Sequence, residues 1–448
     1  MGDGRSGTTT QSAEVNSRVL QPRALVPGLA VVFANRAPAL RVFRWEEPLE
    51  LGRGDFAEED AHEAMISRSH VRITLDEAGF RVCDLGSRNG TFVAGQRISG
   101  EARLPFGATL RVGGVVLVGV RDILPFMDQG LGVRDGVVSG PSLRQALDTI
   151  TLTRRTSAAP TLLLHGESGS GKELAAQAFH RAGPKPDAPF VAVNCATIPK
   201  ELAECLLFGS RRGAYSGATD ATGHVQAASG GTLFLDEVAE LPPEVQSKLL
   251  RMLETREVLR LGETRPERVD VSICAASWRD LRAEVAAGRF RADLYFRIGQ
   301  PEVRLPALRE RVEEIPWHVQ AALSTVCEPG RVRPSAGFIE VCAQRHWPGN
   351  VRELRAEVRR AAASVMVAGS SALRAEDLSP TAGQPIVSSE ATPAAQFAAA
   401  QFPADEFAAA LQAEGGNVLG AARRLGVDRN RVRRWLERYS IDAQVFKS

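Results

Sequence analysis

The chain has 448 residues, of which 44% are hydrophobic and 24% charged, and its formal net charge is +2. This length suits about three soluble globular domains, and so small a net charge leaves local clusters to indicate any nucleic-acid partner. The polar N-terminus lacks the apolar segment of a secretion signal, and no apolar run approaches the roughly 20 residues that span a bilayer. The six cysteines form no CxxC pair, which favours reduced thiols over a disulfide framework or a zinc site. We therefore expect a cytoplasmic protein without a membrane partner.

Short apolar runs separated by turn residues indicate an all-β domain at residues 26–122, after a tail at 1–25 that is expected to be disordered. Turn residues such as Asn89-Gly90 and Gly113-Gly114 divide the runs. Regular short strands of this kind are typical of a β-sandwich. The predicted strands are Ala30–Phe33, Leu49–Leu51, Val71–Leu75, Phe80–Cys83, Thr91–Val93, Thr109–Val112 and Val115–Val118.

From residue 135 onward, apolar strands alternate with helical stretches, which indicates a parallel α/β sheet. We predict this α/β subdomain at 135–303, a mostly helical subdomain at 304–378, and a flexible linker rich in Ala, Pro, Ser and Gln at 379–403. A small all-α unit is expected at 404–448. The strands predicted in the α/β subdomain are Thr161–Leu164, Phe190–Val193, Thr232–Leu235 and Val269–Ala275.

A phosphate-binding loop follows the first of these strands and precedes a helix that begins near Leu174. Its glycines let backbone N–H groups curl around phosphate, while Lys172 supplies a point charge to the terminal phosphates. Glu173 occupies the position where the general motif has Ser or Thr to bind Mg²⁺. The alternative is a glycine-rich turn that binds no nucleotide, and a second motif near residue 236 disfavours it. The loop reads Gly166-Glu167-Ser168-Gly169-Ser170-Gly171-Lys172-Glu173.

The second motif consists of two adjacent carboxylates, Asp236 and Glu237, at the end of the apolar strand Thr232–Leu235. The carboxyl ends of parallel strands form the ligand-binding edge of an α/β sheet. There Asp236 can hold Mg²⁺ and Glu237 can polarise the attacking water, which is most of what phosphoryl transfer requires. The alternative, a strand that ends in a solvated acidic turn, is weaker once the phosphate-binding loop is present.

With these motifs in place, residues 137–378 resemble the AAA+ ATPase domain of bacterial enhancer-binding proteins, the activators of sigma-54 RNA polymerase. The resemblance includes a phosphate-binding loop that ends in Glu and the strand Gly230–Glu237. The other matching segments are Val193–Ala196, Leu207–Gly209, Phe290–Arg297, Leu305–Arg311 and Trp347–Leu354. So many ordered matches are specific to this family.

The resemblance implies roles for several residues in an ATPase that binds ATP and Mg²⁺ and works as a ring, expected to be a hexamer. Asn194 would hold Glu237 in an inactive pose. Arg291 and Arg297 would be arginine fingers that reach a neighbouring subunit's nucleotide, a contact that contributes roughly 10³–10⁵ in rate. Arg352 would sense the γ-phosphate.

Two segments depart from the family's pattern. After the predicted strand Val269–Ala275, the family has Thr-Asn at a position that senses the nucleotide, and we call it the sensor position. This chain has Ser277-Trp278 there, and an indole does not form a hydrogen bond to phosphate as the Asn side chain would. The family's sigma-54 contact loop reads Gly-Ala-Phe-Thr-Gly-Ala, whereas this chain has the hydroxylated pair Tyr215-Ser216 at its centre. One interpretation keeps the sigma-54 contact, and the other has the ATPase acting on another partner. The loop in full is Gly213-Ala214-Tyr215-Ser216-Gly217-Ala218.

The β-rich domain carries Gly52-Arg53, Ser67-Arg68-Ser69-His70 and Gly86–Thr91, and with this spacing it resembles a forkhead-associated (FHA) domain, which binds phosphothreonine peptides. By position, Arg53, Ser67 and Arg68 would hold the phosphate, a charge-assisted clamp suited to a dianion, and Asn89 would bond the peptide backbone. The implied partner is a phosphothreonine-bearing protein or the output of a Ser/Thr kinase. Thr8–Thr10 in the tail are another hypothetical source of phosphothreonine. The alternative is a structural sandwich with surface arginines.

The last residues show a helix-turn-helix pattern. Asn417 can cap a helix whose apolar positions recur at helical spacing, and Asp428 can cap a second, basic helix. Between Gly420 and Tyr439 there are seven arginines and two acids, which suits a reader of enhancer DNA rather than a merely solvated helix. The unit resembles the Fis-type module of the same family, and its predicted DNA-binding residues are Arg429, Asn430, Arg431, Arg433 and Arg434.

Two functions are compatible with this organisation. The first is a DNA-bound regulator that uses ATP hydrolysis to remodel sigma-54 RNA polymerase under phosphothreonine control. The second is a DNA-binding regulator that acts without sigma-54 and uses ATP binding for assembly.

Overall fold

The computed structural model describes residues 24–45, 49–56, 58, 65–134, 137–156, 161–214, 219–386 and 411–424. The chain divides into two compact units, residues 1–384 and 385–448. Several predicted features lie wholly or mostly outside the described residues: the tail 1–25 with its threonines at 8–10, loop residues 215–218, the linker 379–403 and the basic helix that carries residues 429–434.

The N-terminal domain is an antiparallel β-sandwich, as predicted. Alternation of apolar and polar residues builds its core: in Val71–Asp76, Val71 and Ile73 are buried while Arg72 is exposed. One sheet has the order β2-β1-β10-β9-β6-β7 and the other the order β3-β4-β5-β8. The strands are β1 Gly28–Ala34, β2 Ala37–Arg44, β3 Leu49–Leu51, β4 Val71–Asp76, β5 Gly79–Asp84, β6 Thr91–Val93, β7 Gln96–Arg97, β8 Glu101–Pro105, β9 Thr109–Val112 and β10 Val115–Val120.

A short connection leads from the sandwich to the α/β subdomain. It contains α1 (Leu124–Gln129) and a hairpin of β11 (Gly132–Arg134) with β12 (Val137–Ser139), and α2 (Pro141–Thr156) follows.

The α/β subdomain is a five-stranded parallel sheet in the order β14-β15-β18-β13-β19. Apolar clusters lie on both faces, as expected for parallel strands covered by helices. The strands are β13 Thr161–His165, β14 Phe190–Asn194, β15 Thr232–Asp236, β18 Ser272–Ser277 and β19 Glu302–Arg304, with a hairpin of β16 Glu257–Val258 and β17 Glu267–Arg268. The helices are α3 Lys172–Arg181, α4 Lys200–Phe208, α5 His224–Ala227, α6 Pro243–Thr255, α7 Leu281–Ala286 and α8 Ala292–Ile298.

The helical subdomain that follows is called the lid. It consists of α9 Ile315–Leu323, α10 Ala336–Gln344 and α11 Asn350–Val367, together with a short parallel pair of β20 Arg333–Pro334 and β21 Ala372–Leu373. Its core is continuous with apolar residues of the sandwich strands β1 and β10. The sandwich therefore packs directly on the lid.

In the second unit, the described residues include the helix α12 (Val418–Arg424). Asn417 Oδ1 accepts the N–H of Gly420 at 3.3 Å, so the predicted cap of this helix is confirmed. The second helix of the predicted pair lies outside the described residues. Across the described ranges, no helix has both the length and the apolar character that a bilayer crossing needs.

Candidate nucleotide site and its connected surfaces

The phosphate-binding loop lies between β13 and α3, at the carboxyl edge of the parallel sheet. Gly169 has φ +73° and Gly171 has φ +109°, conformations that favour glycine. A Cβ at Gly169 would lie 2.3 Å from the carbonyl oxygen of Gly349, so the lid also requires glycine there. Lys172 is 7% exposed, and its Nζ donates to the carbonyl of Gly166 at 3.0 Å. This cradle fits the phosphates of a nucleotide, since backbone and ammonium donors surround it.

Glu237 lies opposite the loop because β15 ends at Asp236 and the next residue turns sharply, with φ +54° and ψ +49°. Its Oε1 is 3.3 Å from Lys172 Nζ, and its Oε2 accepts the backbone N–H of Trp278 at 3.4 Å. The structure thus brings the predicted lysine and carboxylate together. A non-glycine residue in this conformation carries strain, which is common where a side chain must be aimed precisely at a functional site.

Ser277 and Trp278 end β18 beside this carboxylate. Ser277 is buried, and its hydroxyl donates to the carbonyl of Arg279 at 2.9 Å while it accepts the Arg279 N–H at 3.0 Å. Trp278 is 54% exposed. This position therefore acts on Glu237 through a backbone N–H rather than through a side-chain amide.

Asn194 ends β14 in register with Asp236 on β15. Its Oδ1 accepts the N–H of Ala196 at 3.0 Å and caps a short 3-10 turn. Asn194 and Glu237, both within the described residues, share no hydrogen bond. The predicted restraint of Glu237 by Asn194 is thus not formed in this conformation, and the role stays a prediction.

Glu167 connects the phosphate-binding loop to the lid. Its carboxylate accepts two hydrogen bonds from Arg309, at 2.8 and 2.6 Å, and one from Asn350 Nδ2 at 3.1 Å. The hydrogen bonds from Arg309 hold the pKa of Glu167 below its usual value. Asn350 is fully buried, and its Oδ1 also accepts the N–H of Leu308 at 2.7 Å. The side chain of Glu167 therefore fixes the loop against the lid.

Arg352 reaches the same loop from the first turn of α11. Its Nη1 lies 3.4 Å from Ser168 Oγ, while the neighbouring Val351 N–H donates to the carbonyl of Gly169 at 3.3 Å. The sequence predicted the position of Arg352 but missed Arg309 and Asn350. Both lie in motifs that carried the family resemblance, which was the available signal.

A buried charged network supports the loop from behind. Arg311 is 1% exposed and donates to the carbonyl of Ser170 at 2.7 Å and to Glu314 at 2.9 Å. Glu314 also accepts the N–H of Gly140 at 2.7 Å and contacts His318 Nε2 at 3.3 Å. Burial lowers the pKa of His318, which favours its neutral form. The network joins the loop, the segment before α2 and the lid. Arg311 lies in the matching segment Leu305–Arg311, whereas no sequence motif had indicated Glu314 or His318.

Glu313, the chain neighbour of Glu314, is expected to make the stability of the fold sensitive to pH. Burial, together with the neighbouring charge of Glu314, raises its pKa from 4.5 to about 8. Between those values the folded protein holds a proton that the unfolded chain has released. We therefore expect the free energy of unfolding to fall as the pH rises from 4.5 to about 8, and Glu313→Gln to reduce that fall.

Urea unfolding midpoints measured across this pH range check the expectation. Glu328→Gln, at an exposed lid position, is the control and should retain the wild-type slope. Equal slopes for wild type and Glu313→Gln would contradict it.

The two predicted arginine fingers lie at opposite ends of α8 and are exposed. Arg291 forms a two-pronged ion pair with Asp293 at 3.0 and 2.7 Å and donates to Ser247 Oγ at 3.2 Å. Arg297 donates to the carbonyl of Leu253 at 3.2 Å. Phe296, between them, is 65% exposed, so this end of the subdomain presents both charge and apolar surface to solvent.

The predicted contact loop leaves the subdomain through a tightly packed stem between α4 and α5. A Cβ at Gly223 would lie 2.4 Å from the backbone nitrogen of Gly209, so the two chain segments approach as closely as glycine allows. Ser210 pairs with Ala221 across the stem and with Leu261 of the adjacent hairpin segment. The described residues include Gly213 and Ala214 at the start of the loop. The stem thus joins the loop to the helix that follows the β14 edge of the nucleotide site.

The residues predicted to bind phosphopeptide lie on loops of the sandwich that contact one another. Arg53 Nε donates to the carbonyl of Ile66 at 3.0 Å, and Asn89 Nδ2 donates to that of Met65 at 2.7 Å. Ser67 is half-buried, while Arg53, Arg68 and Asn89 are exposed. The four side chains therefore belong to one connected surface.

Buried polar residues brace these loops. His70 is buried, and its Nδ1 accepts the N–H of Ser67 at 3.0 Å. Asp84 accepts the hydroxyls of Ser87 at 2.5 Å and Thr91 at 2.6 Å. Although burial opposes its ionisation, these hydrogen bonds keep the pKa of Asp84 below its usual value. Asp84 thus anchors loop 86–90, which carries Asn89, through hydrogen bonds at the two ends of the loop.

Comparison with known proteins agrees with this architecture. A sigma-54 interaction domain model matches residues 137–304, an FHA domain model matches 49–113, and an AAA+ ATPase lid domain model matches 309–394. The chain is 39% identical to the transcriptional regulatory protein ZraR of Klebsiella oxytoca over 298 residues, 65% of this chain and 66% of that protein. It is 37% identical to GlrR of Escherichia coli K12 over 323 residues, 70% of each chain.

Among solved structures, NtrX from Brucella abortus in complex with ATP is similar at 31% identity, with a TM-score of 0.50 over 68% of this chain and 69% of that one. The fold and the site therefore define an AAA+ ATPase module that carries an FHA domain. The chain belongs to the family of sigma-54-dependent transcriptional regulators. The matches span 66%, 42% and 39% of the lengths of ZraR, HoxA and a Nif-specific regulatory protein, so the likeness covers a part of each relative.

Proposed function

We propose that this protein hydrolyses ATP and uses the energy to remodel sigma-54 RNA polymerase for promoter opening. The observation behind the proposal is the convergence of Lys172 and Glu237, 3.3 Å apart, at the carboxyl edge of the parallel sheet. A lysine that binds phosphate and a carboxylate that polarises water are the two groups that hydrolysis needs at one place.

Each residue at the site has a separate role in the proposed hydrolysis. Lys172 and the N–H groups of residues 166–171 bind the phosphates, and Arg352 contacts them from the lid. Asp236 would hold Mg²⁺, and the ion would supply positive charge to the phosphate oxygens. Glu237 orients the attacking water and accepts its proton. Its ion pair with Lys172 must open for both groups to act on substrate.

Ring assembly completes this site. Arg291 and Arg297 are exposed at the two ends of α8, so they are available to a neighbouring subunit rather than buried in their own. In the proposed ring, expected to be a hexamer, they stabilise charge on the neighbour's nucleotide. ATP hydrolysis then depends on assembly.

The loop 213–218 transmits the cycle to sigma-54. Its stem is tied to the hairpin segment at Leu261 and follows α4, so a movement at the β14 edge reaches it through packed backbone. The experiment is fluorescence anisotropy of labelled sigma-54 with the purified chain and a slowly hydrolysed ATP analogue. We expect Tyr215→Phe to bind as the wild type does and Tyr215→Ala to lose binding. Equal binding by the two variants would show that this loop is not the contact.

We also propose that the FHA domain binds a phosphothreonine-bearing protein, such as the product of a Ser/Thr kinase. Arg53, Ser67 and Arg68 form a clamp for a dianionic phosphate, and the bond of Arg53 to Ile66 pre-orients one guanidinium.

Removing the guanidinium of Arg53 from this clamp is expected to weaken peptide binding. Since a hydrogen bond to a charged group contributes about 1.5–3 kcal/mol, Arg53→Ala should weaken phosphothreonine-peptide binding roughly 10- to 150-fold. Isothermal titration calorimetry measures this, with Arg72→Ala as the control because Arg72 pairs with Glu50 on the sandwich surface. Equal binding of the unphosphorylated peptide would contradict the proposed phosphate clamp.

The C-terminal unit is proposed to bind enhancer DNA. The capped helix α12 supports the first half of a helix-turn-helix, and the arginine-rich segment 429–434 follows it in sequence. A basic second helix of this kind enters the major groove.

One observation favours the second candidate function, in which ATP binding serves assembly only. Ser277 Oγ is engaged with Arg279 and Trp278 is exposed, so the sensor position offers nucleotide no side-chain amide. Steady-state ATP turnover distinguishes the two candidates, because an assembly-only protein does not turn over ATP.

A further inference from the structure

The outer face of the sandwich is covered by the lid. Strand β1 is buried along its whole length, with Leu29 and Val31 in the sandwich core and Ala30 and Val32 in the core that the lid shares. On the adjacent β10, Val116 and Val118 also belong to the shared core. Separating the domains would expose this apolar surface to water, so the contact is stable.

A buried ion pair sets the register of this contact. Glu340 on α10 has a side chain 3% exposed, and its Oε2 accepts from Arg111 Nε on β9 at 2.6 Å. Its Oε1 accepts the N–H of Gly95, in the turn after β6, at 3.1 Å. The guanidinium of Arg111 also lies 3.5 Å from the ring centre of Phe92. A buried carboxylate is costly without its partners, so Glu340 specifies one docking geometry.

Strand β6 connects this ion pair to the phosphopeptide loops. It is three residues long, it begins two residues after Asn89, and Gly95 lies two residues beyond its end. Thr91 at its start is held by Asp84, which also holds Ser87 of loop 86–90. Phe92 pairs with Arg111 in the sheet. A shift of loop 86–90 therefore acts directly on the residues that contact Glu340.

The other side of the lid contacts nucleotide-binding residues. Helix α10 is followed by Trp347, which is fully buried in the shared core and donates to the carbonyl of Cys342 at 2.6 Å. Three residues later, Asn350 binds Glu167 and the carbonyl of Ser168 in the phosphate-binding loop. The lid thus contacts both the sandwich, at Glu340, and the phosphate-binding loop, at Asn350 and Arg352.

We propose that the FHA domain is a fixed extension of the lid, and that phosphothreonine binding at its loops changes the affinity of the ATPase for nucleotide through Glu340. The inference rests on the proposed phosphothreonine binding. The proposal implies that the FHA domain stays docked on the lid when it binds peptide. It would change nucleotide affinity by displacing the lid and not by leaving the ATPase.

The test is a pair of titrations on the full chain. One measures the affinity for a fluorescent, slowly hydrolysed ATP analogue with and without a saturating pool of peptides that each carry one central phosphothreonine. The other measures peptide affinity with and without the analogue. Because coupling is reciprocal, we expect both affinities to change by the same factor, about fivefold or more.

The Glu340→Gln variant should bind each ligand alone as the wild type does. In this variant, however, the factor by which one ligand changes the affinity for the other should be close to one. Glu376→Gln is the matched control, since Glu376 is an exposed lid carboxylate paired with Arg374. The double variant Arg111→Gln/Glu340→Gln, which leaves no unpaired charge, is used if Glu340→Gln does not fold. If peptide binds but the factor in the wild type is one, the coupling is overturned and phosphothreonine binding stands.

Hydrogen exchange at the Gly95 amide tests the coupling without peptide. Since this N–H donates to Glu340, its exchange rate should change when the ATP analogue binds to the wild type and should not respond in Glu340→Gln. If no phosphothreonine peptide binds, the proposed input function is overturned, and this readout alone decides the coupling. An exchange rate at Gly95 that nucleotide leaves unchanged overturns the coupling.

Discussion

Glu237→Gln is expected to reduce the rate of ATP hydrolysis by about 10²–10⁴, the usual contribution of a positioned general base. Glutamine keeps the size of the side chain but neither polarises water nor accepts its proton. Nucleotide affinity should be retained or increased, because the variant also removes the carboxylate that lies 3.3 Å from Lys172. Steady-state turnover and equilibrium binding of a fluorescent ATP analogue measure the two effects separately.

Glu240→Gln is the matched control. Glu240 lies three residues further along the chain and pairs with Arg279 at 2.6 Å, and we assign it no contact with substrate. Wild-type turnover by Glu237→Gln would contradict the assignment of the general base. A wild type that binds ATP without turnover would instead support the assembly-only function.

Arg297→Ala is expected to have an effect of similar or greater size, a loss of roughly 10³–10⁵ in turnover, because an arginine finger stabilises charge in the transition state. The finger acts on a neighbour's nucleotide, so the defect should be complemented between subunits. Arg297→Ala subunits retain Glu237, and Glu237→Gln subunits retain both fingers. Mixing the two inactive proteins should therefore restore part of the turnover.

Arg289→Ala is the control for this experiment, since Arg289 is an exposed arginine that pairs with Glu284 at 2.7 Å. It should leave turnover unchanged. Mixtures that stay inactive would mean that Arg297 acts within its own subunit or on folding, and a fully active Arg297→Ala would remove it from the catalytic set.

Much of the fold could be predicted from local sequence pattern. Strands such as Thr91–Val93 and Thr109–Val112 have the predicted bounds. The strands β2 and β8 were missed because they bury few apolar side chains: β2 has no fully buried residue, and β8 has one, Leu104. The predicted strand Val269–Ala275 begins later, at Ser272, since the buried Val269 and Val271 precede the parallel ladder.

The nucleotide site was predictable to the extent that its groups are contiguous in sequence. The loop 166–173 and the pair Asp236-Glu237 each lie within a few residues of one another. By contrast, the bonds of Arg309 and Asn350 to Glu167 join positions 142 and 183 residues apart. Such contacts form because the lid packs against the phosphate-binding loop. The sequence pattern of either segment alone carries no information about this packing.

The docking of the sandwich on the lid was the largest feature that the sequence analysis missed. The signal was present in Gly28–Ala34 and Val115–Val120, which are almost continuously apolar where a half-exposed strand would alternate. A strand of this composition is typically buried on both faces. The partner of these two strands, however, lies roughly 200 to 300 residues further along the chain in α9 and α10, and no local rule identifies it.

Open-complex formation on a sigma-54 promoter, with purified polymerase and ATP, tests the central proposal most directly. We expect the wild type to open the promoter only with hydrolysable ATP. Ser216→Ala should hydrolyse ATP yet fail to open it, whereas Ser229→Ala, at an exposed serine of the same subdomain, should behave as the wild type does. Robust ATP turnover by the wild type without promoter opening would contradict the proposal.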